Sequence, residues 1–252
     1  MRIEYLYRYP VKGLTAEALD QAEVETGGAI PWDRAFALAQ GDSGFNAGAP
    51  VWLPKYNFLC LMKNAKAALL FSVFDPGSKI LRIRAPDGSG VEANALTPAG
   101  QERITAVLID YLGDEARGQP SFHHIPGHVF SDQRTPVVSL NNLASLRDYE
   151  SRVGARRHRR RFRANIWFTG APAWAERAWV DREIQIGGAV LRVTKGTMRC
   201  PATEVNPETG ARDADPLAEL RSLYGHVELG VHAEVVSGGR IAVGDAMELL
   251  QP

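Results

Sequence analysis

The chain is 252 residues long, with 45% hydrophobic and 23% charged residues and a net charge of zero. Those values exclude a disordered, collagenous or coiled-coil chain, and the charge total gives no support to a general polyanion binder. The length suits one large domain or two small ones, each with a core of its own. No apolar run reaches the ~18 residues of a membrane span, and the N-terminus MRIEYLYRYP does not read as a signal peptide. Cys60 and Cys200 are the only cysteines, too few for a disulfide framework or a four-cysteine metal site. The expectation is a cytoplasmic protein with its thiols reduced, with no membrane partner.

The first ~95 residues read as short strands broken by turns. Ile3 to Tyr9, Ala22 to Thr26, Arg34 to Ala39, Asn57 to Met62, Ala67 to Phe74 and Lys79 to Arg84 are strand-like, with turns at Asp75-Pro76-Gly77 and Pro86-Asp87-Gly88. The period then changes. Thr97-Pro98 starts a helix, Ile104, Val107, Leu108, Tyr111 and Leu112 give it an apolar face, and Gly113 ends it. Residues 114–136 read as a long loop rich in Pro, Gly, His and Ser. Val137 to Leu140 is a strand and Asn142 to Val153 a helix. Ala164 to Phe168, Ile184 to Ile186 and Ala189 to Thr194 are strands. Asp215-Pro216 opens a short helix with Leu217, Leu220, Leu223 and Tyr224 on one face. Val227 to Val236, Arg240 to Val243 and Met247 to Leu250 close the chain, the first two joined as a hairpin at Ser237-Gly238-Gly239. The expected fold is mainly β with a few helices (α+β), in two lobes, 1–113 and 114–252. Barrels or sandwiches fit it better than a parallel sheet, because βαβ alternation is missing.

Three features carry possible chemistry. Cys200 lies in Thr197-Met198-Arg199-Cys200-Pro201, among polar and turn-forming residues. The adjacent positive charge favours a thiolate, which is a nucleophile and a soft metal ligand. Cys60, inside an apolar run, reads as a small hydrophobe. Of the 29 basic residues six are Lys and 23 Arg, and seven arginines fall between Arg152 and Arg163. That run could be a nucleic-acid patch, a solvated face or an anion clamp. A single interleaved aromatic and the neutral total weigh against nucleic acid. His123, His124 and His128 could share a zinc ion, but the Ile125-Pro126-Gly127 turn between them favours a packed loop. No P-loop, Gly-x-Gly-x-x-Gly or Gly-x-Ser-x-Gly pattern is present.

Four segments, in order, bring a resemblance. They are Tyr9-Pro10-Val11-Lys12-Gly13, Asp33-Arg34-Ala35-Phe36-Ala37-Leu38, Phe162-Arg163-Ala164-Asn165-Ile166, and Arg199-Cys200 followed by Val205-Asn206-Pro207-Glu208-Thr209-Gly210. The chain resembles, over nearly its whole length, the MOSC family, named for the C-terminal domain of molybdenum cofactor sulfurase. It is most similar to the branch with an N-terminal β-barrel domain, to which the amidoxime-reducing components belong. The resemblance implies an N-terminal β-barrel-like domain followed by a MOSC β-barrel domain, with molybdenum cofactor as the bound group. It places the metal-ligating cysteine on Cys200. Lys12 and Arg34 become contacts to the pterin and phosphate, and Ser131 and Asp132 fall on a Phe-Ser-Asp segment. Arg163 and Asn165 face the cofactor, and Arg199 precedes the ligand. The implied activity is reduction of N-hydroxylated or N-oxide-type small molecules, with electrons from a separate flavin, ferredoxin-like or cytochrome donor. The alternative is a non-redox cofactor carrier or sulfur-transfer module. No pyridoxal-phosphate domain is expected, since the two lobes use the whole length. The chain departs from the family pattern at Gly13-Leu14, at Met198 and at Asp132-Gln133-Arg134.

Overall fold

The structure is a computed structural model describing residues 1–251. In chain order the elements are β1 (Arg2–Arg8), β2 (Glu17–Leu19), β3 (Gln21–Val24), β4 (Phe36–Ala39), β5 (Phe71–Asp75), β6 (Ile80–Arg84), β7 (Gly90–Asn94), α1 (Pro98–Leu112), β8 (Ser121–His124), β9 (Val138–Asn142), α2 (Leu143–Val153), β10 (Ile166–Thr169), β11 (Glu183–Ile186), β12 (Ala189–Met198), α3 (Pro216–Tyr224), β13 (Glu228–Ser237), β14 (Gly239–Ala242) and β15 (Met247–Leu249). Eight strands form one sheet in the order β15-β11-β12-β13-β9-β10-β1-β2, and only β9 and β10 in it run parallel. Smaller sheets pair β3 with β14, β4 with β8, and β5 with β6 and β7. The protein is mainly β, as expected.

Among the described residues the two largest of four apolar clusters form the main cores. One packs the large sheet with Ile3, Leu6, Val138, Ile166, Leu191 and Val231. The other packs α1 through Ile104, Leu108 and Leu112 against Phe36, Phe74, Leu81 and Phe122. The strands β1 and β2, from the start of the chain, join the large sheet beside β10. The helices obey their sequence signals. Thr97 accepts from the Gly100 amide at 3.2 Å, Asn142 from Ala144 at 2.9 Å and Asp215 from Ala218 at 3.0 Å. Gly113, Gly154 and Gly225 end them at positive φ.

Several expectations need correction. Residues 57–62 form no strand. Phe58 makes one bridge to Ala39, and then the chain turns, with the Asn64 side chain accepting from the Cys60 amide. An apolar run of strand length marks burial, which a turn over a core satisfies as well as a ladder does. The run 67–74 is split: Ala65–Leu69 is a short 3-10 helix and only Phe71–Asp75 pairs. Alanine-rich sequence favours the helical turn. Residues 121–124, read as loop, pair with β4; β2 and β7 were likewise missed, being short and polar. Ser237-Gly238-Gly239 does not make a hairpin. Both edges of β13 are taken by β12 and β9, so β14 leaves to pair with β3.

Candidate functional site

Two tight approaches build the site. Gly13, at φ +87°, lies so close to Leu59 that a Cβ would stand 2.8 Å from its carbonyl oxygen, which sets the Lys12 segment against the Cys60 turn. Gly230, at φ +81°, gives the Asn141 amide room that any Cβ would fill. The Asn141 Oδ1 then accepts from Arg199 Nη2 at 3.0 Å.

A cavity of about 450 Å³ lies among these segments, and Lys12, Arg34, Ser131, Asp132, Arg163, Asn165, Arg199 and Cys200 all line it. The sequence-predicted residues, spread from 12 to 200, are therefore brought to one place. Six cationic side chains and two carboxylates line it, the cations being Lys12, Arg34, Lys55, Arg161, Arg163 and Arg199. Cys200 is half-buried and free, at the start of a short 3-10 helix, Pro201–Glu204.

Arg34 and Arg163 share the Tyr9 ring, their guanidinium carbons 4.7 and 4.3 Å from its centroid. Both have left-handed backbones, φ 50° and 49°. Such conformations cost about 1–3 kcal/mol each for a residue with a side chain, and they collect at functional sites. Arg34 pairs with Asp33 and donates to the Arg163 carbonyl at 3.0 Å. Arg163 has no carboxylate and donates to the Leu14 carbonyl at 2.7 Å. Burial and the neighbouring Arg34 push Arg163 down to about 10, although Tyr9 opposes this. Burial likewise pushes Arg199 down to about 9. Arg199 donates only to uncharged oxygens: the Phe162 and Leu229 carbonyls and Asn141.

Lys12, Asp132 and Lys55 form a chain of alternating charge that ends at Cys200. Lys12 Nζ donates to Asp132 and to the Phe130 carbonyl at 2.9 Å; Lys55 Nζ lies 3.2 Å from the other Asp132 oxygen. Burial would raise the Asp132 carboxyl, but the two lysines outweigh it and hold it well below the usual carboxylate range. Burial would lower Lys55, but Asp132 and the nearby Cys200 together push it up to about 12. Asp132 is thus engaged by protein cations on both oxygens. Ser131 holds its own turn, donating to the Gln133 carbonyl and accepting from its amide. Asn165 ties three strands, accepting from Ser139 and donating to the Tyr7 carbonyl.

Lys55, Thr197 and His232 also line the cavity and escaped the sequence reading. Thr197, 6% exposed, has a hydroxyl without a partner, and so has His232 Nδ1. Lys55 sits in a loop with no periodic pattern, and His232 on a strand reads as one polar residue among apolar ones. Cys60, expected inside a strand, lines the cavity from its turn, and burial raises its thiol. The arginine run is mostly fastened in place. Arg157 pairs with Glu219, Arg161 with Asp213 and Arg156 with Glu150, while Arg159 lies over Tyr5. The loop histidines pack on aromatic rings, His124 on Trp32 and Phe36, and His128 on Phe130. Among the described residues no three His, Cys, Asp or Glu side chains are grouped to hold a metal.

All six histidines are held below the ordinary imidazole value of 6.5, chiefly by burial, and His232 is pushed down to about 3. Unfolding restores the ordinary value, so the unfolded chain binds more protons below pH ~6.5 and stability falls as pH drops. The thermal midpoint is expected to decline steadily from pH 7 to pH 5. His232→Gln should flatten that slope. A midpoint independent of pH over this range would show the imidazoles to be solvated.

Two β-rich lobes contributing to one cation-lined cavity, with a single half-exposed thiol in it, define the two-part MOSC architecture. The chain belongs to that family: the MOSC N-terminal beta barrel domain matches residues 1–121 and the MOSC domain residues 127–248. Similar proteins include mitochondrial amidoxime-reducing component 1 of Mus musculus, 35% identical over 134 residues, or 48% of this chain and 38% of that one. Mitochondrial amidoxime reducing component 2 of Bos taurus is 32% identical over 123 residues, 44% of this chain and 36% of that one. The match thus spans under two fifths of these relatives' own length. Among solved structures, the YUAD protein of Bacillus subtilis superposes with a TM-score of 0.46 at 14% identity, over 98% of this chain and 94% of that one. Among the described residues no helix is long and apolar enough to cross a membrane.

Proposed function

We propose that this chain binds molybdenum cofactor in the cavity, with Cys200 as the protein ligand to the metal, and reduces N-hydroxylated or N-oxide-type small molecules. The observation that carries the proposal is the pair of strained, adjacent arginines on Tyr9, one of them without a carboxylate, in the same cavity as a half-exposed thiol. Two adjacent cations with one carboxylate between them leave positive charge that suits a multiply charged anion, and a free cysteine sulfur suits a soft metal centre. The unpartnered Thr197 hydroxyl is a further polar group left for a ligand. The residues present therefore fit a pterin that ends in a phosphate dianion and carries a thiolate-ligated metal. When bound, the cofactor supplies a two-electron reduction that removes oxygen from nitrogen.

The chain's own groups do the rest. Arg34 and Arg163 hold the anionic end, with Lys12 beside them. Asn165 and Arg199 brace the backbone on either side of Arg163, Asn165 through Ser139 and Tyr7 and Arg199 through the Phe162 carbonyl. Asp132 holds Lys55 in the same cavity as Cys200. Both thiols stay free in a reducing compartment, and a cytoplasmic setting is part of the proposal. Molybdenum analysis with pterin fluorescence, on protein made in a cofactor-producing host, tests it. Stoichiometric metal supports the reading, and metal-free protein overturns it. Full loading without turnover of any N-hydroxylated substrate would favour the carrier or sulfur-transfer function.

Electrons must come from elsewhere. The chain has no dinucleotide-binding fingerprint, and two cysteines cannot hold a four-cysteine iron–sulfur cluster. The isolated, loaded chain is expected not to oxidise NADH or NADPH. It should turn over with reduced viologen, or with a separate flavin, ferredoxin-like or cytochrome protein. Efficient NADH oxidation by the pure chain would refute this.

A further inference from the structure

The mouth of the cavity differs from its interior. Met198 is 72% exposed and Tyr56 52% exposed, and both line the cavity. Exposed Val51 precedes Trp52, which also lines it. Exposed side chains with apolar surface that border one cavity offer contact to whatever enters it. Their backbones are fixed. Tyr56 sits on a single 3-10 turn, Lys55–Asn57, closed when the Asn57 amide donates to the Pro54 carbonyl at 3.0 Å. The Tyr56 carbonyl accepts from Arg117 Nη2 at 2.7 Å. Met198 ends β12, in register with Glu228 of β13. Rigid backbones under exposed thioether and phenol groups are a pre-formed surface for a flat ring.

Charge at the mouth narrows the ligand further. The Arg134 guanidinium lies over the Trp52 ring, 4.5 Å from its centroid, and Lys55 is adjacent. The carboxylate nearby, Asp132, is engaged by two lysines. A cationic ligand would meet like charge here. A neutral or anionic one would not.

We infer that Tyr56 and Met198 are specificity-determining residues, selecting small molecules with a flat, neutral or anionic aromatic body for the site beside Cys200. What then happens to the ligand rests on the reductase reading above; the binding preference does not. The test is calorimetric titration of benzamidoxime and acetamidoxime into protein purified from a cofactor-producing host. The aryl compound is expected to bind at least about tenfold tighter, from stacking and thioether contact on top of apolar burial. Tyr56→Ala with Met198→Ala should cut that preference about fivefold or more, without moving the thermal midpoint or the molybdenum content. Tyr56→Phe should keep it. Equal affinities in the wild type, or a preference that the double variant retains, overturn the inference. So does a wild-type dimer, seen by sedimentation, that the double variant dissolves, because the patch is then a self-interface. Selective aryl binding without reduction leaves the inference standing and removes the reductase reading.

Discussion

Cys200→Ala is expected to abolish molybdenum binding and any reductase activity while leaving the fold intact. The thiol is half-buried, and its removal takes away little packed volume. Its backbone carbonyl still accepts from Thr203, so the short helix that follows keeps its first turn. What disappears is the sulfur that shares the cavity with Lys55. Metal analysis, a substrate-reduction assay with reduced viologen and a thermal melt on the same preparation check all three parts. Cys60→Ala should do the reverse. That thiol is buried, so truncation costs about 1–2 kcal/mol of stability, while metal content holds. Loss of metal in the Cys60 variant, with Cys200→Ala unaffected, would reassign the ligand.

Arg163→Gly should separate stability from binding. The substitution removes the cation that has no carboxylate partner and relieves a left-handed backbone at φ 49°. It also removes one hydrogen bond, to the Leu14 carbonyl. Strain relief and the lost bond are each about 1 kcal/mol, so the metal-free protein should melt close to the wild type. Cofactor retention should fall by about 1.5–3 kcal/mol, roughly 10- to 150-fold, for the lost charge-assisted bond. Arg34→Ala and Lys12→Ala should weaken retention similarly, with larger losses of stability, because each leaves a carboxylate or a carbonyl without its donor. Arg157→Ala should lower stability, through loss of the Glu219 pair, and spare retention. Equal losses of retention across all four variants would mean diffuse electrostatics rather than a formed site. Fluorescence-monitored release of pterin against time provides the measurement.

Punctuation and burial were the legible parts of this sequence. Thr97-Pro98, Asn142 and Asp215-Pro216 fix the helix starts because a side-chain oxygen must satisfy free amides wherever a helix begins. The strictly alternating 79–84 segment became β6. What stayed hidden depends on neighbours distant in sequence. Residues 121–124 pair only because β4 offers an edge, and β14 avoids its sequence neighbour only because β13 has no edge left. The site follows the same division. The motif residues were visible through the resemblance. Lys55 was not, since a lysine in a Pro-Lys-Tyr loop acquires meaning only when Asp132 and Cys200 are folded against it.

The cations around the cavity share one habit: five of the six reach a main-chain oxygen. Lys12 reaches Phe130, Arg34 reaches Arg163, Arg163 reaches Leu14, Arg161 reaches Glu204, and Arg199 reaches Phe162 and Leu229, each through a carbonyl. Arg212 joins Pro201 to Leu61 and Met62 in the same way. A carbonyl oxygen is present whatever side chain it carries. The two halves of each bond are therefore under unequal mutational constraint. The bond itself specifies the donor side chain but not the acceptor's, which is set by its own packing: Phe130, Phe162, Leu14 and Leu229 are all buried. The cavity's geometry is therefore written twice, once in a few cationic side chains and once in the path of the backbone they grip.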